Sequence, residues 1–246
     1  MTFETDDLAR ASATDFVGQL AAAADKRLGT RLCGAYLLGS LAHGGFSRRY
    51  SDVDMALIVV DGLREQELSQ IRTTADESPA WAGRLSVFWS NPDFTIGRFP
   101  PLDRVDYLDH AVALVERQRA APPRPTLVEI RSYLVGGPLE SWVNGARQLA
   151  GKSELGSNEH KAYLRALLYP ARFIMSWQTG RMASNDEAVA FLRMAAPAGV
   201  DIGVVERALD CRRLSEDPVG LWPDRSILLQ HIDACRRLAA GSETRS

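Results

Sequence analysis

Lysine is nearly absent. Of 29 basic residues only Lys26, Lys152 and Lys161 are lysines, and all others are arginines. Against 31 acids the net charge is −2, which argues against a generally basic nucleic-acid binder. Cysteine is also scarce. Cys33, Cys211 and Cys235 lie far apart, which is neither a disulfide framework nor a zinc spacing. They read as small core residues in a reducing compartment. The histidines His43, His110, His160 and His231 show no metal-binding spacing with Cys or acids. No apolar run approaches the ~18 residues of a membrane span. The opening ten residues are polar and acidic, which predicts no secretory leader and a cytoplasmic protein. The arginine bias, with many alanines, points to a GC-rich bacterial genome.

What is present divides in two. A length of 246 residues allows one large domain or two small ones. Leu8, Phe16, Leu20 and Leu28 form a sparse apolar stripe and predict an opening helix that ends at Gly29-Thr30. Leu32 to Leu38 reads as a buried strand, broken at Gly39-Ser40. Val53 to Val60 is the strongest strand, apolar on both faces as a covered central strand must be. Leu63 to Thr73 reads as a helix and Arg84 to Trp89 as a third strand. Residues 91 to 102 read as a loop, and Asp103 to Arg119 has helical spacing in Val105, Leu108, Val112 and Val115. Residues 121 to 125 (APPRP) are the best linker. Beyond them the spacing predicts helices over 126–135, 138–149, 158–179, 184–194, 202–214 and 226–239, with Pro170 kinking or restarting the third. The fold class expected is α+β: a mixed sheet flanked by helices over 1–120, then an all-helical domain over 121–246.

The chemistry concentrates in Leu37 to Val60, LLGSLAHGGFSRRYSDVDMALIVV. A strand ends at Gly39-Ser40, where glycine allows a tight turn and close approach, and serine adds a hydroxyl. Such a corner suits a phosphate. Asp52 and Asp54 then open the strongest strand, and a period of two puts both carboxylates on one face. Two acids side by side repel, and a bound divalent cation removes that conflict. Magnesium takes one or two carboxylates together with phosphate oxygens. Either half alone reads as an ordinary turn. Together, at this spacing, they point to metal-dependent phosphoryl or nucleotidyl transfer.

Leu38-Gly39-Ser40 followed by Asp52-Val53-Asp54-Met55 resembles the nucleotidyltransferase (polymerase-beta-like) superfamily. Ala42-His43-Gly44 and Ser51 add to the likeness. In the second half, Ala171-Arg172-Phe173 to Thr179-Gly180, then Ala183-Ser184-Asn185-Asp186-Glu187-Ala188, resembles the helical domain of aminoglycoside adenylyltransferases of the streptomycin/spectinomycin type. The likeness covers about residues 30–195. It implies that Gly39 and Ser40 bind nucleotide phosphates, that Asp52 and Asp54 are catalytic and hold Mg²⁺, and that Arg172 touches the nucleotide. It further implies transfer of AMP from ATP to a hydroxyl of a small acceptor, aminoglycoside-like by analogy, in a cleft between two domains. Neither nucleic acid nor membrane is an expected partner.

The sequence departs from the family pattern twice. Ser86 stands where a third carboxylate is expected, and Asn185 where relatives usually have lysine. Asp93, or an acid of the helical half, is a candidate replacement for the first; Arg181 or Arg193 for the second. Two other readings of the departures are that metal and solvent suffice without a base, and that the chain is a catalytically impaired nucleotide- or partner-binding module; a separate reading keeps the adenylyltransferase and makes the acceptor a protein. His43, in the same loop, is a candidate phosphate or substrate contact. Asp103, Asp106 and Asp109 recur at helical spacing; they are candidates to point acids at a cationic substrate, with a solvated helix face as the favoured reading. The five tryptophans read mostly as core, with Trp177 and Glu159 as candidates to line the cleft.

Overall fold

The apolar run Val53–Val59 forms the centre of a five-stranded mixed sheet. A computed structural model describes residues 3–75 and 79–241. The chain divides into two units, 1–124 and 125–246, with the change inside the proline-rich 121–125 stretch. The architecture is α+β.

The first unit runs α1 (Phe3–Leu28), β1 (Leu32–Leu38), α2 (Gly39–His43), β2 (Val53–Val59), α3 (Glu65–Ala75), α4 (Pro79–Ala82), β3 (Leu85–Ser90), β4 (Gly97–Arg98), α5 (Pro101–His110) and β5 (Val112–Glu116). The strand order is β4-β3-β2-β1-β5. β1 is antiparallel to β2 and to β5, β2 is parallel to β3, and β3 is antiparallel to β4. The parallel pair requires a crossover, which α3 and α4 supply.

Alternation along β2 sorts its side chains between two cores. Val53, Met55, Leu57 and Val59 pack with Phe16, Val17, Leu20 and Leu28 of α1 and Ile71 of α3. Ala56 and Ile58 face the other way, toward Tyr36, Leu38 and Tyr107, with Phe88, Phe94 and Phe99 packed around them. Burying each large side chain contributes roughly 1.5–3 kcal/mol, so both faces hold β2 in place. Asp54 shares the even positions and therefore the Tyr107 side of the sheet.

Three expectations for this unit change. Leu8 is 66% exposed and does not join Phe16, Leu20 and Leu28 in the core. The helix predicted over Asp103–Arg119 stops at His110, and Val112–Glu116 is an edge strand against β1. Val105, Leu108, Val112 and Val115 satisfy a helical period by coincidence of spacing. The β-branched Val112 and Val115 fit the sheet edge instead. A two-residue strand, β4, also lies inside the stretch read as loop.

The second unit is all helical: α6 (Leu127–Gly136), α7 (Pro138–Ala150), α8 (His160–Thr179), α9 (Asn185–Ala195), α10 (Ile202–Arg213) and α11 (Ile227–Gly241), with 3-10 turns at Ser157–Glu159 and Pro218–Asp224 in two of the connections. Thr126 with Glu129 and Ser184 with Glu187 form capping boxes that start α6 and α9. α8 is central, burying Tyr163, Leu164, Leu167, Phe173, Ile174 and Trp177. It continues through Pro170 without a restart and stops where Gly180 turns left-handed, at φ 68°. Cys33 and Cys235 are buried and all three cysteines are free thiols. Burial pushes the Cys235 thiol up to about 12. Among the described residues no helix is long and apolar enough to cross a membrane.

Candidate active site

The site begins where β1 runs out. Leu38, its last residue, pairs across the sheet with Asp54. Gly39 then turns the chain with φ 64°, a conformation that favours glycine. The turn also brings the backbone against a carboxylate. A Cβ on Gly39 would overlap Asp54 Oδ2 and lie 3.0 Å from Asp54 Cγ. So glycine is required twice over, for the dihedral and for the space.

α2 is a single turn that carries Ser40. The Ser40 hydroxyl donates to Ser51 Oγ at 3.0 Å, and the Ser47 N–H donates to the same oxygen at 2.9 Å. The Ser51 N–H in turn donates to the Ser47 carbonyl at 2.9 Å. Ser47 and Ser51 are buried, so this closed loop is part of the interior. Arg84 fixes its outer side, donating to the carbonyl of Arg49 at 3.1 Å and also to that of Arg48. The Val53 N–H donates to the Arg84 carbonyl at 3.0 Å, where β2 and β3 begin together. Asp52 therefore emerges from a pinned loop and Asp54 from a pinned strand. Both are half-buried.

Ser86 stands beside Asp54 in the parallel register of β2 and β3. The neighbour of Asp54 on that strand is thus a neutral hydroxyl. Asp93 is exposed in a turn held by Asn91, whose side chain bonds Thr95 and the Ile96 N–H.

α5 supplies a residue that the sequence reading missed. Asp103, Asp106 and Asp109 were expected on one solvated face, but Asp106 is 4% exposed. Its Oδ2 accepts the Gly39 N–H at 2.9 Å. Its Oδ1 lies 3.9 Å from His43 Nε2, within ion-pair range when the imidazole is protonated. His43 also packs edge-on against His110, ring centroids 5.5 Å apart. Asp109 remains exposed and pairs with Arg124. The signal available was position: Asp106 precedes Tyr107, whose ring is in the core, and follows buried Val105.

Of the sequence-derived residues, Gly39, Ser40, Asp52 and Asp54 are brought together at the β1–β2 end. Arg172 belongs to α8 of the second unit, where its Nη2 lies 3.6 Å from Met182 Sδ. Asn185 opens α9 behind the Ser184 cap. Arg193 pairs with Glu206. Glu159 pairs with Lys152, whose ammonium holds that carboxyl below the usual range. Trp177 is buried, with the Arg131 guanidinium 5.3 Å from its ring centroid. Glu159 and Trp177 are thus engaged within their own unit.

Among the described residues no group of three or more His, Cys, Asp and Glu side chains is placed to hold a metal ion. The donor set at the β2 start is two carboxylates. That fits magnesium, which binds through one or two carboxylates and takes its other oxygens from substrate phosphates and water. It does not fit an all-protein calcium or zinc cage.

No protein-family model and no curated protein matches the chain. Among solved structures it is similar to the crystal structure of spectinomycin adenyltransferase AAD(9) from Enterococcus faecialis with ATP and spectinomycin. The TM-score is 0.60 at 14% identity, covering 93% of this chain and 98% of that one. At that identity the likeness is one of fold.

Proposed function

We propose that the chain is a Mg-dependent nucleotidyltransferase that moves AMP from ATP to a hydroxyl of a small acceptor. The observation that carries this reading is the seating of Gly39 against the Asp54 carboxylate, beside Ser40 and Asp52, in a fold like that of an adenyltransferase crystallised with ATP and spectinomycin. Asp52 and Asp54 would hold the metal. Gly39, lacking a side chain, makes the tight turn and leaves room for the Asp54 carboxylate at the corner, and Ser40 is proposed to meet the triphosphate by turning its hydroxyl from Ser51. Arg172 is proposed as a cation that touches the nucleotide, and the first unit as the one that carries the transfer chemistry. When bound, magnesium neutralises triphosphate charge and stabilises the departing pyrophosphate.

The reaction joins the acceptor oxygen to the α-phosphorus, breaks the bond from that phosphorus to the bridging oxygen, and releases pyrophosphate and the hydroxyl proton. Little covalent chemistry falls to the protein; positioning and charge stabilisation dominate. A rigid corner with two carboxylates is suited to that task. The acceptor class is proposed as a hydroxylated amine or amino sugar, in line with the spectinomycin named for AAD(9).

The test is pyrophosphate release with Mg-ATP across hydroxylated amines and sugars, for the wild type and for Asp52→Ala and Asp54→Ala. Release that needs an acceptor and both aspartates supports the reading. Transfer that survives the double substitution removes it. Ser86 beside Asp54 favours one alternative, a module that binds nucleotide without turnover. Tight Mg-ATP binding with no release on any acceptor would select it. Label from nucleotide appearing on a protein band would select a protein acceptor instead.

A further inference from the structure

We propose that Asp106 is the positioning residue of the nucleotide corner: its carboxylate holds the start of α2 through the Gly39 N–H and so sets where Ser40 meets the triphosphate. The proposal rests on the nucleotidyltransferase reading of Gly39, Ser40, Asp52 and Asp54.

Asp106 reaches the first residue of α2 through Oδ2, which takes the Gly39 N–H at 2.9 Å, and faces the last through Oδ1, 3.9 Å from His43 Nε2. One carboxylate therefore lies near both ends of the turn and bonds the first. His110, one helical turn after Asp106 on α5, packs its ring against His43 from the same helix. α5 is itself anchored: Tyr107 is fully buried and donates its hydroxyl to the Ala120 carbonyl at 3.1 Å. The brace has a rigid base.

Burial argues that this carboxylate is not there for stability. Oδ1 is shielded from solvent and has no hydrogen-bond partner. A buried carboxylate with half its acceptor capacity unused costs free energy that an apolar residue would not. The arrangement makes sense if the position of Gly39 is what is being held. Gly39 is fixed from two sides, by Asp106 on its N–H and by the Asp54 carboxylate against its Cα. Both carboxylate oxygens of Asp106 face α2, so Asp106 does not replace the third carboxylate missing at Ser86 as a base. It also means that the Gly39 N–H is already engaged. A phosphate at this corner is left to Ser40, whose hydroxyl donates to Ser51 Oγ here and would turn from it to reach the phosphate.

The experiment compares Asp106→Asn with Asp106→Ala. Asparagine keeps an acceptor oxygen for Gly39; alanine does not. Three readouts are taken: hydrogen exchange of the Gly39 amide without nucleotide, the Kd for Mg-ATP by calorimetry, and the melting temperature. The expected result is that Asp106→Ala exposes the Gly39 amide and weakens Mg-ATP by about tenfold or more, the scale of one lost charge-assisted hydrogen bond. Asp106→Asn should restore both to within a few fold. Equal Mg-ATP affinity in wild type and Asp106→Ala overturns the proposal, and so does Asp106→Asn binding no better than Asp106→Ala. If Asp106→Ala does not fold, wild type against Asp106→Asn decides: a Gly39 amide that loses protection in the asparagine variant overturns the brace. A wild-type chain that binds no Mg-ATP overturns the functional reading first. Gly39 exchange then decides the brace alone, which is lost if Asp106→Ala leaves the amide protected.

Discussion

Gly39 and Asp54 are packed so closely that no side chain fits between them. A Cβ on Gly39 would stand 3.0 Å from Asp54 Cγ and overlap one carboxylate oxygen, and φ at Gly39 is 64°. Gly39→Ala therefore adds left-handed strain of about 1–2 kcal/mol and displaces Asp54 as well. Gly44 is the control. It also has positive φ, 94°, but a Cβ there meets nothing within 4 Å. Both variants should melt lower than wild type, while only Gly39→Ala should lose nucleotidyl transfer. Differential scanning calorimetry and a pyrophosphate assay on the two proteins check this.

Asp52→Asn and Asp54→Asn keep side-chain size and remove charge. Both residues are half-buried at the mouth of β2 and not in its core. The expected outcome is loss of transfer by at least two orders of magnitude, the scale of a removed charge-stabilising group, with stability changed by less than about 1 kcal/mol. Steady-state rates at several Mg²⁺ concentrations provide the measurement. Excess Mg²⁺ should not restore the rate, because a neutral amide does not replace a carboxylate ligand for a hard cation.

The strands that build the site were legible because they are buried on both faces. Leu32–Leu38 and Val53–Val59 are nearly continuous apolar runs, and burial on two faces produces that pattern. Val112–Glu116 was not legible, because its apolar run, Ala111 to Val115, follows Val105 and Leu108 without a break signal and lies on a partly exposed edge beside β1. Its valines matched a helical period equally well. The turn and the acidic pair were legible as a pattern of residue types at fixed spacing. Asp106 was not, because Asp103, Asp106 and Asp109 look alike in sequence. Only the docking of α5 against the end of β1 sends one of the three inward, to the Gly39 N–H.

Ser86 offers a gain-of-function test. It pairs in register with Asp54, on the strand position next to the proposed metal ligands. Ser86→Asp places a carboxylate there, able to accept a proton from an acceptor hydroxyl or to join the metal site. If the third acid is what the chain lacks, kcat with a turned-over acceptor should rise about tenfold or more, within the usual range for an added general base. Stopped-time product assays for wild type, Ser86→Asp and Ser86→Asn separate charge from size. A rate unchanged by Ser86→Asp shows that deprotonation of the acceptor does not limit turnover.

His231 gives the second unit an acid-sensitive point. It is fully buried on α11, and its Nε2 accepts the Asp201 N–H at 3.1 Å, at the start of α10. Desolvation holds its pKa down at about 4, against 6.5 when exposed, with Asp201 opposing the shift only in part. The folded state therefore prefers neutral imidazole, and the unfolded chain binds the proton more readily. Stability from this group is fully present above pH 6.5. It is lost as pH falls toward 4, by up to about 3 kcal/mol. His231→Gln keeps a neutral hydrogen-bonding side chain that does not titrate. It should flatten the decline in melting temperature between pH 6.5 and 4, even if it lowers stability at pH 7. Melting curves across that range, for wild type and variant at one ionic strength, decide it: parallel slopes would mean that the acid sensitivity lies elsewhere.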